Sequence, residues 1–552
     1  METTEKSGRA RSGRRWPLVA ASAVVVPLLV LGLVEAALRI GGVGYPTSLL
    51  TPCTVQGKPA SCYNLFFAAP FFPAGSVQTP RLYSIPTKKE PGTYRIFVLG
   101  ESAAMGDPDP AYGFSRYLEV MLRQRFPSTR FEVVNTGSVA INSHVVLPIA
   151  RGLAGQHPDL FIIYSGNNEV VGPYGPGTVL TSSGMSLPVV RSSIFFRSTR
   201  IGQLVTKLGS QKKDWQGMAM FVDQQVRAGD SRMQQVYANY ERNLRDTIAV
   251  GRSAGAKVVV ATAAVNLEDC APFASLHREG LKDEELRSWD GLVQKGRDLE
   301  VAGSYAEALQ QYQAAAKIDG EYAELEFRIA RALKSSGDAK SAREHFQRAR
   351  DLDTLRFRAD SRINDISRSV PKSFSDVGMV DTEDVLSSAS SDGIIGGDFV
   401  YEHVHLTPAA SYLLAKAILL QVADKIPGVA LQGDVPSEIE CERMLALTAY
   451  DRSRIASEML RRMQKAPFTN QINHAEQVQR FTLEAQAMGE KPSDTLAEYE
   501  WAIVRAPDDP MLRLRYGMFL FPYNRNAAAQ QMALAQPWDG YPVFLPDGTQ
   551  VR

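Results

Sequence analysis

The stretch YRIFVLGES, residues 94–102, joins a short apolar run to a serine. The run at 94–99 predicts a buried strand, and a turn after it lifts the Ser102 hydroxyl above the sheet. Similar runs recur at 131–134, 160–164, 257–261 and 377–380. Helical patterns lie between or after them, at 114–125, about 233–254 and 408–422. Strands that alternate with helices predict an α/β fold with a doubly wound parallel sheet, which binds ligands at the carboxyl ends of its strands.

Three further polar segments follow later strand ends in chain order. They are residues 135–143, the GNNE sequence at 166–169 and the EHVH sequence at 402–405. A serine hydroxyl becomes a nucleophile when a histidine removes its proton, and that histidine needs a carboxylate to fix its tautomer. Ser102, His405 and Glu402 could supply these groups. A helix N-cap is the alternative for Ser102 taken alone, but the order of the four segments favours catalysis.

The four ordered segments resemble the sequence blocks of the SGNH, or GDSL-type, hydrolase superfamily, over about residues 94–426. The resemblance implies a flavodoxin-like three-layer sandwich and ester hydrolysis that needs neither a metal nor an organic cofactor. The family's Gly-Asp-Ser block matches residues 100–102, so Ser102 is the implied nucleophile and Glu101 replaces the aspartate. Its Asp-x-x-His block matches 402–405, which makes His405 the implied base and Glu402 the implied orienting acid.

The same resemblance implies three donors to an oxyanion. They are the amide of Ser102, the side chain of Asn168 in the family's Gly-x-Asn-Asp block, and a backbone amide in the second block. Alignment from Asn135 puts Ala140 at the position of that amide, and Gly137 is the alternative. A backbone N–H does not require glycine, and losing one such donor typically costs about 10²-fold or more in rate.

Five further residues are expected as neighbours of the site: Glu101, Gly137, Gly166, Glu169 and His403. His403 and His405 flank a single residue, so they could also bind a metal together with Glu402. No other histidine has a matching spacing, and a metal site needs three or four ligands. We therefore expect no metal at this site.

A helical segment with its own period interrupts the alternation. Residues 303–308 recur 34 positions later as 337–342. At the same shift Gly296 matches Ala330 and Tyr312 matches Phe346. The pattern resembles the tetratricopeptide repeat, whose helix pairs need small residues where they cross and aromatic residues between them. Since two repeats are fewer than usually stand alone, the C-terminal region, which opens with a capping box at Ser437, is expected to stack on them.

The N-terminus carries an apolar run of 19 residues, 16–34, behind a basic segment. Its length predicts a membrane-spanning helix over 16–38, with the N-terminus in the cytoplasm and the body outside it, in the periplasm or at the cell surface. A cleaved signal peptide is the alternative, although no convincing small-x-small cleavage site is present.

The four cysteines lie beyond this run, where an oxidising compartment permits disulfides. Cys53 and Cys62 are close enough in sequence to pair locally, and Cys270 and Cys441 could form a second bridge. Four free buried thiols are the alternative, since connectivity cannot be deduced from sequence.

A chain of 552 residues is too long for one core. With 44% hydrophobic and 22% charged residues it can bury a sizeable interior, and a net charge of +1 predicts no strong attraction to nucleic acid. We expect seven regions: a basic tail at 1–15, the anchor at 16–38, an irregular segment at 39–90, hydrolase parts at 91–285 and 355–430, an inserted repeat region at 286–354, and a helical C-terminal region at 435–552.

These observations favour a membrane-anchored serine esterase that acts on an acyl ester of a carbohydrate or lipid. Two alternatives stay open. One is a catalytically degenerate SGNH scaffold that binds a protein partner through its repeats, suggested by glutamate where the family has aspartate. The other is an acyltransferase that uses the same serine on an envelope polysaccharide.

Overall fold

The computed structural model describes residues 16–73, 75–78, 81–181, 184–209, 214–426, 433–487 and 491–551. The predicted basic tail therefore lies outside the described residues. The first element is helix α1, Trp16–Ile40. Within the described part of the chain it is the one helix long and apolar enough to cross a membrane, a property that it would share with a signal sequence.

A small antiparallel sheet follows α1. Its strands are β1 Leu50–Val55, β2 Lys58–Tyr63 and β3 Ser84–Pro86. The predicted irregular segment is thus wrong over these strands, because pairing across strands forms a sheet where the sequence has no sustained period. A disulfide between Cys53 and Cys62 joins β1 to β2.

The suggested second disulfide is wrong. Cys270 and Cys441 are free and buried. Cys270 packs in the cluster on one face of the central sheet, and Cys441 packs in the cluster on the other face. The sheet therefore separates the two thiols.

Five parallel strands form the central sheet. They are β4 Thr93–Gly100, β5 Arg130–Asn135, β6 Leu160–Tyr164, β7 Lys257–Ala261 and β8 Val377–Val380. Their spatial order is β5-β4-β6-β7-β8, and each neighbouring pair is parallel. This order confirms the predicted flavodoxin-like, doubly wound sheet.

In the described residues between β4 and β7 the chain forms six α-helices. They are α2 Ser102–Met105, α3 Phe114–Arg125, α4 Ser143–Leu153, α5 Leu187–Ser198, α6 Arg200–Gly209 and α7 Arg232–Ser253. Four more form two helical hairpins between β7 and β8: α8 Asp283–Val301, α9 Tyr305–Ile318, α10 Ala323–Ser335 and α11 Ala339–Leu352. The remaining helices of the core are α12 Ser361–Ser369, α13 Thr382–Ala389 and α14 Pro408–Val422.

Helices cover both faces of the sheet. Phe97 and Leu99 of β4 lie in one cluster with residues of α4, α7 and α12. Ile96 and Val98, which point the other way because side chains alternate along a strand, lie in a second cluster with residues of α3 and α14. The core is therefore a three-layer sandwich, as predicted.

The two inserted hairpins bury small and aromatic residues at matching positions. A Cβ at Gly296 would lie 2.4 Å from the Tyr312 ring, so the helices need a small residue where they meet. At the matching positions Ala330 and Phe346 are both buried in the same cluster. The assignment of these hairpins to the tetratricopeptide repeat stays a prediction.

The C-terminal region is helical, as predicted, and its capping box at Ser437 is formed. Its helices are α15 Glu438–Leu445, α16 Ala449–Met463, α17 His474–Gln486, α18 Pro492–Arg505, α19 Pro510–Leu520 and α20 Arg525–Leu534, followed by β9 Val543–Phe544 and β10 Gln550–Val551.

The expected stacking of this region on the inserted hairpins is wrong for its buried apolar residues. Leu445 and Ile455 join the cluster beside α3 and α14, and Met459 and Met463 join the cluster on the other face. Towards the inserted hairpins, α17 contributes an ion pair from Glu476 to Arg331, and the partly buried Ile472 just before α17 packs against their apolar cluster. The C-terminal helices therefore dock mainly on the sandwich.

Candidate active site

Ser102 follows the carboxyl end of β4, which lies between β5 and β6 in the central sheet. A Cβ at Gly100 would lie 1.9 Å from the carbonyl oxygen of Tyr164, so only glycine fits where β4 passes β6 and turns. Helix α2 then begins at Ser102. Among the described residues the Ser102 N–H has no acceptor, because it belongs to the unsatisfied first turn of a helix.

The structure brings Ser102, His405 and Glu402 into one chain of hydrogen bonds. The Ser102 hydroxyl lies 2.8 Å from His405 Nε2, and His405 Nδ1 contacts Glu402 Oε1. An Nδ1–H that donates to Glu402 leaves Nε2 free to accept the serine proton. The three residues are thus arranged as nucleophile, base and orienting acid would be.

Glu402 is held by the backbone of its own loop. Its Oε2 accepts the N–H of His403, the N–H of Val404 at 3.0 Å and the N–H of His405 at 3.4 Å. The Glu402 side chain bends back so that Oε2 accepts these bonds while Oε1 reaches His405. This geometry absorbs the extra methylene that distinguishes Glu402 from an aspartate.

The charges at this loop favour a carboxylate beside an imidazolium. Burial raises the pKa of Glu402, but His403 and His405 oppose it and hold that pKa well below its ordinary value. Burial lowers the pKa of His405, and the carboxylates of Glu402 and Asp107 more than offset this, so the pKa of His405 is raised. The positive form of His405 is therefore stabilised.

In the second segment, the structure distinguishes Ala140 from Gly137 as the possible backbone donor to an oxyanion. The Gly137 N–H already donates to Asn135 Oδ1 at 2.9 Å, and a Cβ at Gly137 would lie 2.5 Å from the Met105 nitrogen. Ala140 has a φ of +58°, a left-handed conformation that glycine adopts more readily. Its N–H meets no acceptor in the part of the chain that the structure describes. Ala140, and not Gly137, therefore has a free amide.

Asn168 is linked to the segment of Ala140. Its Nδ2 donates to the carbonyl oxygen of Ile141 at 3.0 Å. An amide nitrogen carries two hydrogens, so one is left for another acceptor. Asn168 can therefore hold the second segment and still donate into the site.

Glu101 and Glu169 support the loops and do not contact His405. Glu101 accepts the backbone N–H groups of Gly166, Asn167 and Asn168 at 3.1, 2.9 and 3.2 Å. Burial, with Glu169 nearby, raises the pKa of Glu101 to about 8, against the effect of these bonds. Burial likewise raises the pKa of Glu169 to about 7, and Glu169 accepts the Ser143 N–H at 2.8 Å and its hydroxyl at 2.7 Å.

His403 packs among aromatic rings. The centroids of Phe273, Phe357 and Phe468 lie 5.8, 6.2 and 5.9 Å from its ring centroid. Burial lowers its pKa, and its Nδ1 lies 2.9 Å from Glu402 Oε2. His403 therefore lies behind the site and does not contact Ser102.

The donor atoms of Glu402, His403 and His405 lie within 4.8 Å of one another, which is close enough for a shared metal ion. Both nitrogens of His405 are engaged, however, one by Glu402 and the other by Ser102. This pairing fits proton transfer at Ser102 better than metal ligation.

Two residues at the site were not anticipated. Asp107 Oδ2 lies 3.2 Å from His405 Nε2. Arg462 of α16 binds Asp107, with Nη2 at 3.0 Å from Oδ1, and its Nη1 lies 3.9 Å from Glu402 Oε1. Asp107 follows the segment of Ser102 closely, so its position in the sequence was a usable signal. Arg462 carries no such signal, because only the docking of α16 brings it here.

Comparison of this sequence with protein-family models found no match, and neither did comparison with curated proteins. Solved structures do match, with low scores. An alpha/beta hydrolase from the metagenome of Lake Arreo has 11% identity and a TM-score of 0.27, and the alignment covers 59% of this chain and 94% of that one. An acetylxylan esterase from Geobacillus stearothermophilus has 12% identity and a TM-score of 0.27, covering 62% and 97%. A lipase/acylhydrolase from Enterococcus faecalis has 9% identity and a TM-score of 0.26, covering 60% and 96%.

These matches cover most of the other chains but little more than half of this one. Since their TM-scores are far below 0.5, the function of this protein rests on its own geometry. That geometry is a serine at a strand end, a histidine and a carboxylate in line with it, and free N–H groups from two neighbouring segments.

Proposed function

We propose that the protein is a serine ester hydrolase of the SGNH type, which cleaves an acyl ester of a carbohydrate or lipid. The observation that carries the proposal is the line from Ser102 Oγ through His405 to Glu402. Glu402 fixes the tautomer of His405, and His405 removes the serine proton as Oγ attacks the ester carbonyl carbon.

The negative charge that forms on the carbonyl oxygen then needs donors. The Ser102 and Ala140 N–H groups and the second Asn168 amide hydrogen are the groups proposed to bind it. They act in a largely buried site, where fixed dipoles stabilise charge more than water does. His405 returns the proton to the leaving alcohol, and an acyl-enzyme forms on Ser102. Water, deprotonated by His405, attacks this ester, and His405 then returns the proton to Ser102 as the acid is released.

We propose that α1 anchors the protein in a membrane with its body on the extracytoplasmic side. The length and composition of α1 support an anchor. The disulfide between Cys53 and Cys62 supports an oxidising compartment for the body. The inserted hairpins offer a surface for a protein partner.

The first experiment uses a serine-directed fluorophosphonate and a short-chain aryl ester with the full-length protein. Wild type should be labelled and should hydrolyse the ester, whereas Ser102→Ala should do neither. Ser288→Ala, an exposed serine of α8, is the matched control and should behave as wild type. His405→Ala should lower kcat by on the order of 10³-fold or more, since the parts of such a site act as a unit.

Equal labelling of wild type and Ser102→Ala would reject Ser102 as the nucleophile. Absence of both labelling and hydrolysis in folded wild type would favour the degenerate scaffold. Product that depends on an added polysaccharide acceptor would favour the acyltransferase.

A further inference from the structure

Helices α5 and α6 expose apolar side chains to solvent although they belong to the folded body. The exposed side chains are Val189, Phe195 and Phe196 on α5 and Leu204, Val205 and Leu208 on α6. Phe195 is 72% exposed and Leu208 is 90% exposed, and exposed apolar side chains grouped on two adjacent helices indicate a contact surface.

The exposed residues of α6 share one face. Leu204, Val205 and Leu208 are spaced at i, i+1 and i+4, so they lie on a single stripe of the helix. Gly202 is buried on another side, where a Cβ would lie 1.9 Å from the carbonyl oxygen of Phe196. Helix α6 therefore packs on α5 with one face and leaves an apolar face uncovered.

The charges of this hairpin all have the same sign. From Leu187 to Gly209 the chain has four basic residues and no acidic one. Arg191 is paired with Asp246 at 2.6 Å, and Lys207 is exposed. An exposed apolar stripe with basic residues and no acidic ones is typical of a helix that lies in a membrane interface.

The hairpin is attached to the last turns of α1. Glu35 of α1 accepts the N–H of Arg200 at 3.0 Å and the N–H of Ile201 at 3.1 Å, at the N-terminus of α6. Just beyond α1, Gln203 exchanges two hydrogen bonds of 3.0 Å with the backbone of Tyr45. Glu35 precedes the end of α1 by five residues, about 7.5 Å along the helix axis. Helix α6 therefore begins where the apolar span ends.

A second apolar group continues the surface beside this junction. Leu65 and Phe66 are 49% and 50% exposed, and Phe66 stacks on Tyr45 with a centroid distance of 4.6 Å. Exposed apolar residues therefore belong to two separate parts of the fold, both attached to the chain that leaves α1.

We propose that α5 and α6 lie in the interfacial layer of the same bilayer that α1 crosses, with Phe195, Val205 and Leu208 inserted among phospholipid chains. The inference rests on the membrane anchor of the proposed function. A lipid leaflet is the occupant because the surface continues from the apolar span and the charged residues of α5 and α6 are all basic. Two attachments fix the orientation of the body, so the active site is held at one height above the membrane and does not swing on a tether.

The test uses the full chain in phospholipid vesicles with one fluorophore attached to an introduced cysteine. Leu208→Cys and Phe195→Cys report on the hairpin, and Val301→Cys, which replaces a residue 91% exposed at the end of α8, is the matched control. The native cysteines are either bonded to each other or buried, so labelling is selective. Vesicles with brominated acyl chains quench a fluorophore that enters the bilayer.

We expect a blue-shifted emission and a several-fold greater quenching at positions 208 and 195 than at 301. Equal quenching at 208, 195 and 301 in protein that floats with the vesicles would overturn the inference and leave the anchor intact. A blue shift without quenching by brominated lipid would mean that a protein surface covers the hairpin, and would also overturn it. If the protein does not float with the vesicles, the membrane anchor itself is rejected. Esterase activity is a separate measurement and tests the proposed hydrolase independently of the anchor.

Discussion

The inserted helices α8–α11 and the C-terminal helices α15–α20 both approach the loop that carries His405, but with different chemistry. From the inserted side, Val404 is buried in one cluster with Trp289 and Phe346. From the C-terminal side, Arg462 binds Asp107 next to His405. Apolar packing holds the backbone of the loop in place, whereas a nearby charge changes the protonation of its histidine.

Buried apolar residues of the C-terminal helices pack on both faces of the sandwich, and ion pairs add to this interface. Arg454 and Arg515 both bind Asp109, and Asp509 binds Arg116 of α3. Removing one partner of a buried ion pair typically costs about 3–5 kcal/mol, because the other charge is left unpaired. Substitutions in the inserted hairpins and in the C-terminal helices should therefore have different effects on stability and on the pH dependence of activity.

The largest expected effect is on stability, in the inserted hairpins. Phe346→Ala removes a ring that is 1% exposed, and such a substitution costs about 3–5 kcal/mol. We expect a lower urea midpoint, while the pH at which half of kcat/KM is lost stays as in wild type. Val301→Ala, exposed on the other inserted hairpin, should shift the free energy of unfolding by no more than about 0.5 kcal/mol. A changed pH profile in Phe346→Ala would mean that the inserted hairpins also affect the pKa of His405.

A second prediction concerns Asp107. A general base must be neutral, so activity is lost as pH falls through the pKa of His405, which lies above its ordinary value of 6.5. Asp107 is one cause of that rise, after Glu402, and Asp107→Asn removes its negative charge. We therefore expect the acidic limb of kcat/KM to move to lower pH, measured on an aryl ester across pH 5 to 9.

Arg462→Ala is the paired control and should have the opposite sign. The positive charge of Arg462 lowers the pKa of His405, so its removal raises that pKa and moves the acidic limb to higher pH. Arg462→Lys keeps the charge and should restore part of the wild-type profile. If the acidic limbs of Asp107→Asn and Arg462→Ala moved in the same direction, the electrostatic explanation for the effect of the C-terminal helices would be contradicted.

The parts of the fold that the sequence predicted are those with a strong local pattern. Strands β4, β6 and β7 are buried on both faces, so each is a nearly continuous apolar run that is readable without its neighbours. Ser102 and Asn168 follow strand ends, and Glu402 and His405 share one short motif. Their roles in catalysis remain predictions until Ser102→Ala and His405→Ala are measured.

The parts that the sequence did not predict depend on contacts between distant segments. Strands β1 to β3 are half-exposed and pair only with one another, so their pattern is weak. Nothing in the sequence indicates that Ala140 has a left-handed backbone, a conformation usually signalled by glycine. The pattern of α16 identifies an amphipathic helix but not the surface on which it docks, and so it could not bring Arg462 to Asp107.

The smallest expected effect is at the ion pair that joins the two additions, Arg331 of α10 and Glu476 of α17, 3.0 Å apart. The side chains are 33% and 58% exposed, so solvent screens the pair, and an exposed pair contributes about 0.2–1 kcal/mol. We expect Arg331→Ala and Glu476→Ala each to lower the free energy of unfolding by less than about 1 kcal/mol, with a coupling energy in the same range when both are combined. If the hairpins and the C-terminal helices formed one stacked superhelix, this junction would have to carry their contact, and the coupling would be larger. We expect a small coupling at this ion pair, a large cost of Phe346→Ala, and opposite pH shifts in Asp107→Asn and Arg462→Ala. Together these results would mean that the inserted hairpins and the C-terminal helices act on the His405 loop separately.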